Sequence, residues 1–199
     1  AAPGHDSSQS LATLRLHGAT VDPDWVVIAN LWSDVYRFPQ SEALAEQIRG
    51  PLGHLASYRM LKRALAPWLT ARKVRWIAGQ EDIGAASDGS QSRIPLRSYL
   101  GNLEAMAEEA TALGATPVFL VLPAPMDFDG APLPPVVQEY RAAMAQVAAT
   151  RGGLLVSGPE AFREADAGMA WFMDQVHPTA AGHAILASAL VEVLENRLP

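Results

Sequence analysis

Asp174-Gln175-Val176-His177-Pro178 is the stretch of this sequence with the clearest capacity for chemistry. A carboxylate three residues before a histidine can lie along one side of a turn and accept a hydrogen bond from Nδ1–H. That bond fixes the ring tautomer and leaves Nε2 as a general base. A surface aspartate beside a helix-entry histidine has the same spacing, so its neighbours must decide. Gly4, in Pro3-Gly4-His5-Asp6-Ser7-Ser8-Gln9, precedes a polar turn and a helix. A backbone N–H there can point at an anion, although a plain loop glycine reads the same. Asn30-Leu31-Trp32-Ser33-Asp34 ends an apolar run. A polar side chain at that point could donate to a developing oxyanion, or Ser33 or Asp34 could cap the next segment of chain.

Other candidates read as structural. The histidines at 5, 17, 54 and 183 show no metal-ligand spacing, and His183 falls on the first turn of the last helix. The basic residues near 59–75 fit a solvated helix face. Arg93 reads as a solvated arginine rather than an anion contact. No metal or organic cofactor is implied.

The elements that must position these residues alternate in type. A helix is expected over 10–19, with Gly18 as its C-cap. Trp25–Ala29 is apolar on both faces, as in a buried parallel strand. Residues 41–72 read as two helical pieces broken at Gly50-Pro51-Leu52-Gly53, and residues 79–93 as a polar, glycine-rich mobile loop. Helix 95–113 carries Leu96, Tyr99, Leu100, Leu103, Met106, Ala110 and Leu113 at three- and four-residue steps and ends at Gly114. A strand over 117–122, a helix over 136–151 and a short strand over 154–156 come next. The last helix runs from about 180 to 198, with Thr179 as its N-cap. Three parallel strands with covering helices make a three-layer α/β/α sandwich with a flavodoxin-like parallel sheet. In such a fold the site lies in the loops beyond the carboxyl ends of the strands.

Composition narrows the classes. The chain has 199 residues, of which 49% are hydrophobic and 18% charged, an ordinary globular balance for about one domain. With no cysteine there is no disulfide, thiolate metal site or cysteine nucleophile. The net charge of -6 argues against a nucleic-acid partner, which needs a basic stripe. No apolar run approaches the ~20 residues of a membrane span. No targeting segment is visible at Ala1-Ala2-Pro3-Gly4-His5-Asp6. Localisation is left open, an extracytoplasmic one included.

Taken together, the three stretches resemble the SGNH/GDSL hydrolase family, whose members carry a G-D-S nucleophile, a glycine block, a G-x-N-D block and a D-x-x-H block in that order. Pro3-Gly4-His5-Asp6-Ser7-Ser8-Gln9-Ser10-Leu11 looks like the glycine block. Ala29-Asn30-Leu31-Trp32-Ser33-Asp34-Val35 falls where the third block belongs. Asp174-Gln175-Val176-His177-Pro178-Thr179-Ala180-Ala181-Gly182-His183 is a close match to the fourth. The resemblance spans almost the whole chain as one domain, with a helical and loop insertion at about 35–93. Trp32, Tyr36, Tyr58 and Trp76 are candidates for a pocket wall there, with core packing the alternative.

Two departures stand out. The G-D-S block is absent, since only three residues precede Gly4, and Gly4-His5-Asp6-Ser7 has the context of the second block. Ser7 is therefore not assigned as the nucleophile. Ser33 stands where the family has its oxyanion asparagine, and Leu31 replaces that block's glycine. The resemblance implies a serine hydrolase acting on a small ester through an acyl-enzyme. His177 would be the base, Asp174 its orienting carboxylate, and Gly4 and Ser33 the oxyanion hole. The first strand and the nucleophile would come from a preceding segment, without which the strand ending near Asn30 has an unpaired edge. The alternative is a non-catalytic, SGNH-like ligand-binding or interaction domain.

Overall fold

The structure, a computed structural model, describes residues 5–35 and 92–197. The helical pieces expected over 41–72, most of the 79–93 loop, Gly4, Tyr36, Tyr58 and Trp76 lie outside them.

Helix α1 spans Ser7–Val21. Its start is set by a capping box: the Asp6 carboxylate accepts from Gln9 N–H at 2.9 Å, and Gln9 Oε1 accepts from Asp6 N–H at 3.2 Å. The helix therefore begins earlier than the expected 10–19. It also ends later, at Asp22, whose φ of 49° is left-handed. Gly18 is not the C-cap. It is buried inside the helix, where a Cβ would stand 2.6 Å from Leu113.

Strand β1 (Trp25–Ile28) leads to a one-turn helix α2 (Trp32–Val35). Helix α3 (Leu96–Ala112) buries Tyr99, Leu103, Met106 and Ala110, the stripe its periodicity announced. Strand β2 (Thr116–Val121) is succeeded by helix α4 (Pro135–Thr150), strand β3 (Leu154–Ser157) and a short helix α5 (Gly158–Glu164). Helix α6 (Ala180–Glu195) begins at Thr179, whose hydroxyl accepts from Gly182 N–H, as expected. Helix α5 was not expected. Its signal is Ser157 as N-cap with Pro159 in the first turn.

The described sheet is parallel, in the order β1-β2-β3. Trp25 pairs with Thr116, and Val118 with Leu154. Helices α1, α3 and α4 cover one face, and α5 and α6 the other, which gives the α/β/α sandwich. Side chains alternate between two cores. Ile28, Phe119 and Val121 pack with Tyr99, Leu103, Tyr140 and Met144 on the first. Val118, Leu120 and Val156 pack with Phe162 and Leu186 on the second. β2 is buried along its length, as a central parallel strand should be. β1 is not: among the described residues it pairs on one side only, and Val27 is 46% exposed.

Candidate active site

The segment between α5 and α6 folds back on itself. Phe172 and Pro178 form an antiparallel bridge, Met173 N–H donates to His177 O at 2.8 Å, and Thr179 N–H donates to Trp171 O at 2.8 Å. Gly182 seats this loop on the helix behind it. A Cβ there would meet Pro178 Cβ at 2.8 Å and Trp171 O at 2.9 Å.

Inside this closed loop Asp174 wraps its own successors. Its Oδ1 accepts from Val176 N–H and His177 N–H, each at 2.9 Å. Its Oδ2 lies 2.8 Å from His177 Nδ1. Nδ1 is therefore occupied and Nε2 is the nitrogen left for chemistry. Burial alone would raise the Asp174 carboxyl. The bonds from Val176 N–H, the His177 ring and His177 N–H outweigh it and hold the group below its ordinary value. The His177 side chain is 66% exposed, against 33% for Asp174.

His177 lines a cavity of about 200 Å³ beyond the carboxyl ends of β1 and β2. Ser33, Trp32, Asn30 and Leu122 form other parts of the wall, so the structure brings Ser33 and His177 to one pocket. His5 and His183 line it too. Neither is expected there from sequence, because no spacing rule links a residue ahead of α1 to one inside α6. No metal-binding group of acidic, histidine or cysteine side chains occurs among the described residues.

The Ser33 wall is held from behind. Asp34 is fully buried and accepts Ser7 N–H at 2.9 Å, tying the loop after β1 to the first turn of α1. It thus caps the helix before it in the chain, not the segment after it. Burial pushes its carboxyl up to about 6, against the lowering effect of the Ser7 hydroxyl and N–H. Ser7 is itself buried, its hydroxyl accepting from Asn102 Nδ2 at 2.9 Å, and it does not line the cavity. Arg93 is not a solvated arginine: it lies 3.0 Å from the buried Asp6 carboxylate, with 19% of its side chain exposed. Tyr99 Oη donates to Asn30 O at 2.6 Å and so fixes the end of β1.

Sequence reasoning also missed Arg141, on α4. Its guanidinium grips Asp127 through two nitrogens and lies over the Trp32 ring. The pair is 14 positions apart, and only the fold joins it.

Comparison with known structures gives the same architecture. Axe2, an acetylxylan esterase from Geobacillus stearothermophilus, superposes with a TM-score of 0.60 at 18% identity, covering 96% of this chain and 68% of that one. LAE5, an alpha/beta hydrolase enzyme from the metagenome of Lake Arreo, Spain, gives 0.59 at 16% identity, covering 98% and 71%. At these identities the likeness is one of fold. Further Axe2 structures are of catalytic mutants that lose a serine, a histidine, or an aspartate three positions before that histidine. No curated protein matches the sequence significantly. Residues 1–185 match the GDSL-like Lipase/Acylhydrolase family, and with that span covered the chain belongs to this family of ester-bond hydrolases.

Proposed function

We propose that the protein hydrolyses a small carboxylic ester through an acyl-serine intermediate, with His177 as general base and acid and Asp174 as its orienting carboxylate. The observation that carries this reading is the 2.8 Å contact between His177 Nδ1 and Asp174 Oδ2 at the rim of a cavity walled by Ser33. In this mechanism His177 Nε2 takes the proton of the attacking serine and returns it to the leaving alcohol. Asp174 holds the tautomer and stabilises the imidazolium. The Gly4 N–H and the Ser33 hydroxyl receive the oxyanion. A water, activated by the same imidazole, then releases the acid.

The nucleophilic serine is placed on a segment preceding Ala1. Two observations support this. Ser7 is buried and hydrogen-bonded away from the cavity. β1 presents an unpaired edge among the described residues, next to the cavity.

The test is acetyl-ester hydrolysis and fluorophosphonate labelling of the gene product that includes the sequence upstream of Ala1. Both are expected, with His177→Ala abolishing hydrolysis. Absence of both would overturn the reading. One observation favours a second reading, ligand binding without turnover: Ser33 reaches less far than the asparagine it replaces. Ligand affinity that survives His177→Ala, with no turnover in either protein, would select it.

A further inference from the structure

Arg141 stands where three parts of the pocket's support meet. From α4 its two terminal nitrogens bond the Asp127 carboxylate, Nη1 to Oδ1 at 2.6 Å and Nη2 to Oδ2 at 2.9 Å. Nη2 also donates to Leu122 O at 2.8 Å, just past the end of β2. Asp127 Oδ2 accepts in turn from Ala124 N–H at 2.8 Å, which fixes the loop after β2. The guanidinium carbon lies 5.6 Å from the centre of the Trp32 ring. Trp32 and Leu122 both line the cavity, and Trp32 is joined directly to Ser33. One planar cation therefore links the segments that follow β1 and β2, behind the wall that faces His177.

A plain stabilising ion pair fits these facts less well. The Arg141 side chain is 12% exposed and that of Asp127 0%, so both charges are largely desolvated. Arg141 Nε is buried with no hydrogen-bond partner among the described residues. A buried pair with an orphaned donor adds little over well-packed apolar side chains of the same volume. What those side chains cannot supply is direction. The guanidinium fork fixes the carboxylate in plane, and its flat face orients an indole.

We propose that Arg141, locked by Asp127, is a positioning residue for the oxyanion wall, holding the Trp32 indole and through it Ser33. Lysine at this position keeps the charge but loses both the fork and the flat face. A misplacement of about 1 Å at a reacting centre costs on the order of 10² in rate. The kinetic part of this inference rests on the esterase reading.

The experiment compares wild type, Arg141→Lys and Trp32→Phe in the gene product with its upstream sequence, labelled with fluorotryptophan. Arg141→Lys should lower kcat for an acetyl ester about 10- to 100-fold. KM should stay within about threefold, because a ground-state contact is not removed. The pH profile of kcat should not move. The Trp32 fluorine resonance, assigned through Trp32→Phe, should shift while that of Trp171 stays. Trp32→Phe, which leaves the Arg141–Asp127 pair intact, should reproduce the kcat loss and decides the matter if Arg141→Lys does not fold. An unchanged kcat in the folded variants overturns the inference while leaving the esterase reading in place. If wild type shows no hydrolysis, the esterase reading falls instead. The Trp32 resonance then decides alone, and its failure to move in Arg141→Lys overturns the inference.

Discussion

The two faces of the sheet are closed to different depths. Phe119 and Val121 point into a core sealed by α1, α3 and α4, with Tyr99, Leu103 and Tyr140 fully buried around them. Val118 and Leu120 point the other way, toward α5 and α6. There Ile185, Ala189, Leu190, Val193 and Leu194 are only partly buried, and Val27 and Val191 are exposed. The candidate site draws one wall from each half. Trp32 and Ser33 leave the sheet on the sealed side, while Asp174 and His177 belong to the loop that enters α6. Precision is therefore achieved in two ways. The Ser33 wall is backed by packing and by the Asp34 contact to α1, whereas Asp174 and His177 are held together by short-range hydrogen bonds within one loop.

The largest effect should come from the less buried half. His177→Ala is expected to lower ester hydrolysis by about 10⁴-fold or more while leaving the thermal midpoint within a degree or two, because the ring is mostly exposed. A large fall in the midpoint would show that the loop is held by burial after all. Next comes the core. Phe119→Ala should cost about 3–5 kcal/mol in a urea titration. Val27→Ala, one strand away on the opposite face, should cost under ~1 kcal/mol. Equal costs would erase the distinction between the faces.

Gly182→Ala tests the loop's own scaffold. The added Cβ would press on Pro178 and the Trp171 carbonyl, both in the His177 loop. A loss of about 1–3 kcal/mol is expected, together with a fall in kcat that exceeds the loss of folded protein. Retention of full kcat would show that the loop tolerates displacement.

The last contrast separates the halves by pH. Asp34 titrates near 6 when folded, against an ordinary value of 3.8, so the folded form binds more protons between those values. Its contribution to stability is complete below the unfolded value and is lost as pH rises through the folded one, a change on the order of 3 kcal/mol at most. Asp174 has the opposite sign. Its contribution is present above the ordinary carboxylate range and is lost as pH falls through its lowered value. Asp34→Asn should flatten the decline from about pH 4 to 7, and Asp174→Asn only the acid limb below about 4, both read by chemical denaturation across pH.

The sequence disclosed what is local and hid what is tertiary. The α3 stripe, the Thr179 cap and the Asp174–His177 spacing are short-range patterns, and each corresponds to a formed element or contact. The start of α1 is also legible, in Asp6 and Gln9, although the apolar residues alone point to a later start near 10. Gly18 looked like a terminator because glycine ends helices; in the fold it is the space Leu113 needs. Arg93 looked solvated because its partner, Asp6, stands on the far side of the chain. β1 looked buried because Trp25-Val26-Val27-Ile28 is apolar on both faces, while the described sheet covers only one of its edges. His5 and His183 became site residues only when α1 and α6 were brought to the same cavity.

The strand register also sets an order of assembly. Val118 and Leu154 pair across a modest stretch of chain, with α4 as the bridge between them. Trp25 and Thr116 pair across a stretch more than twice as long. Closing the longer loop costs roughly 1 kcal/mol more chain entropy. The β2-α4-β3 unit is therefore expected to pair first and β1 second, with α1 and Ser33 following β1. The wall proposed to receive the oxyanion, which follows β1, is thus expected to be placed last.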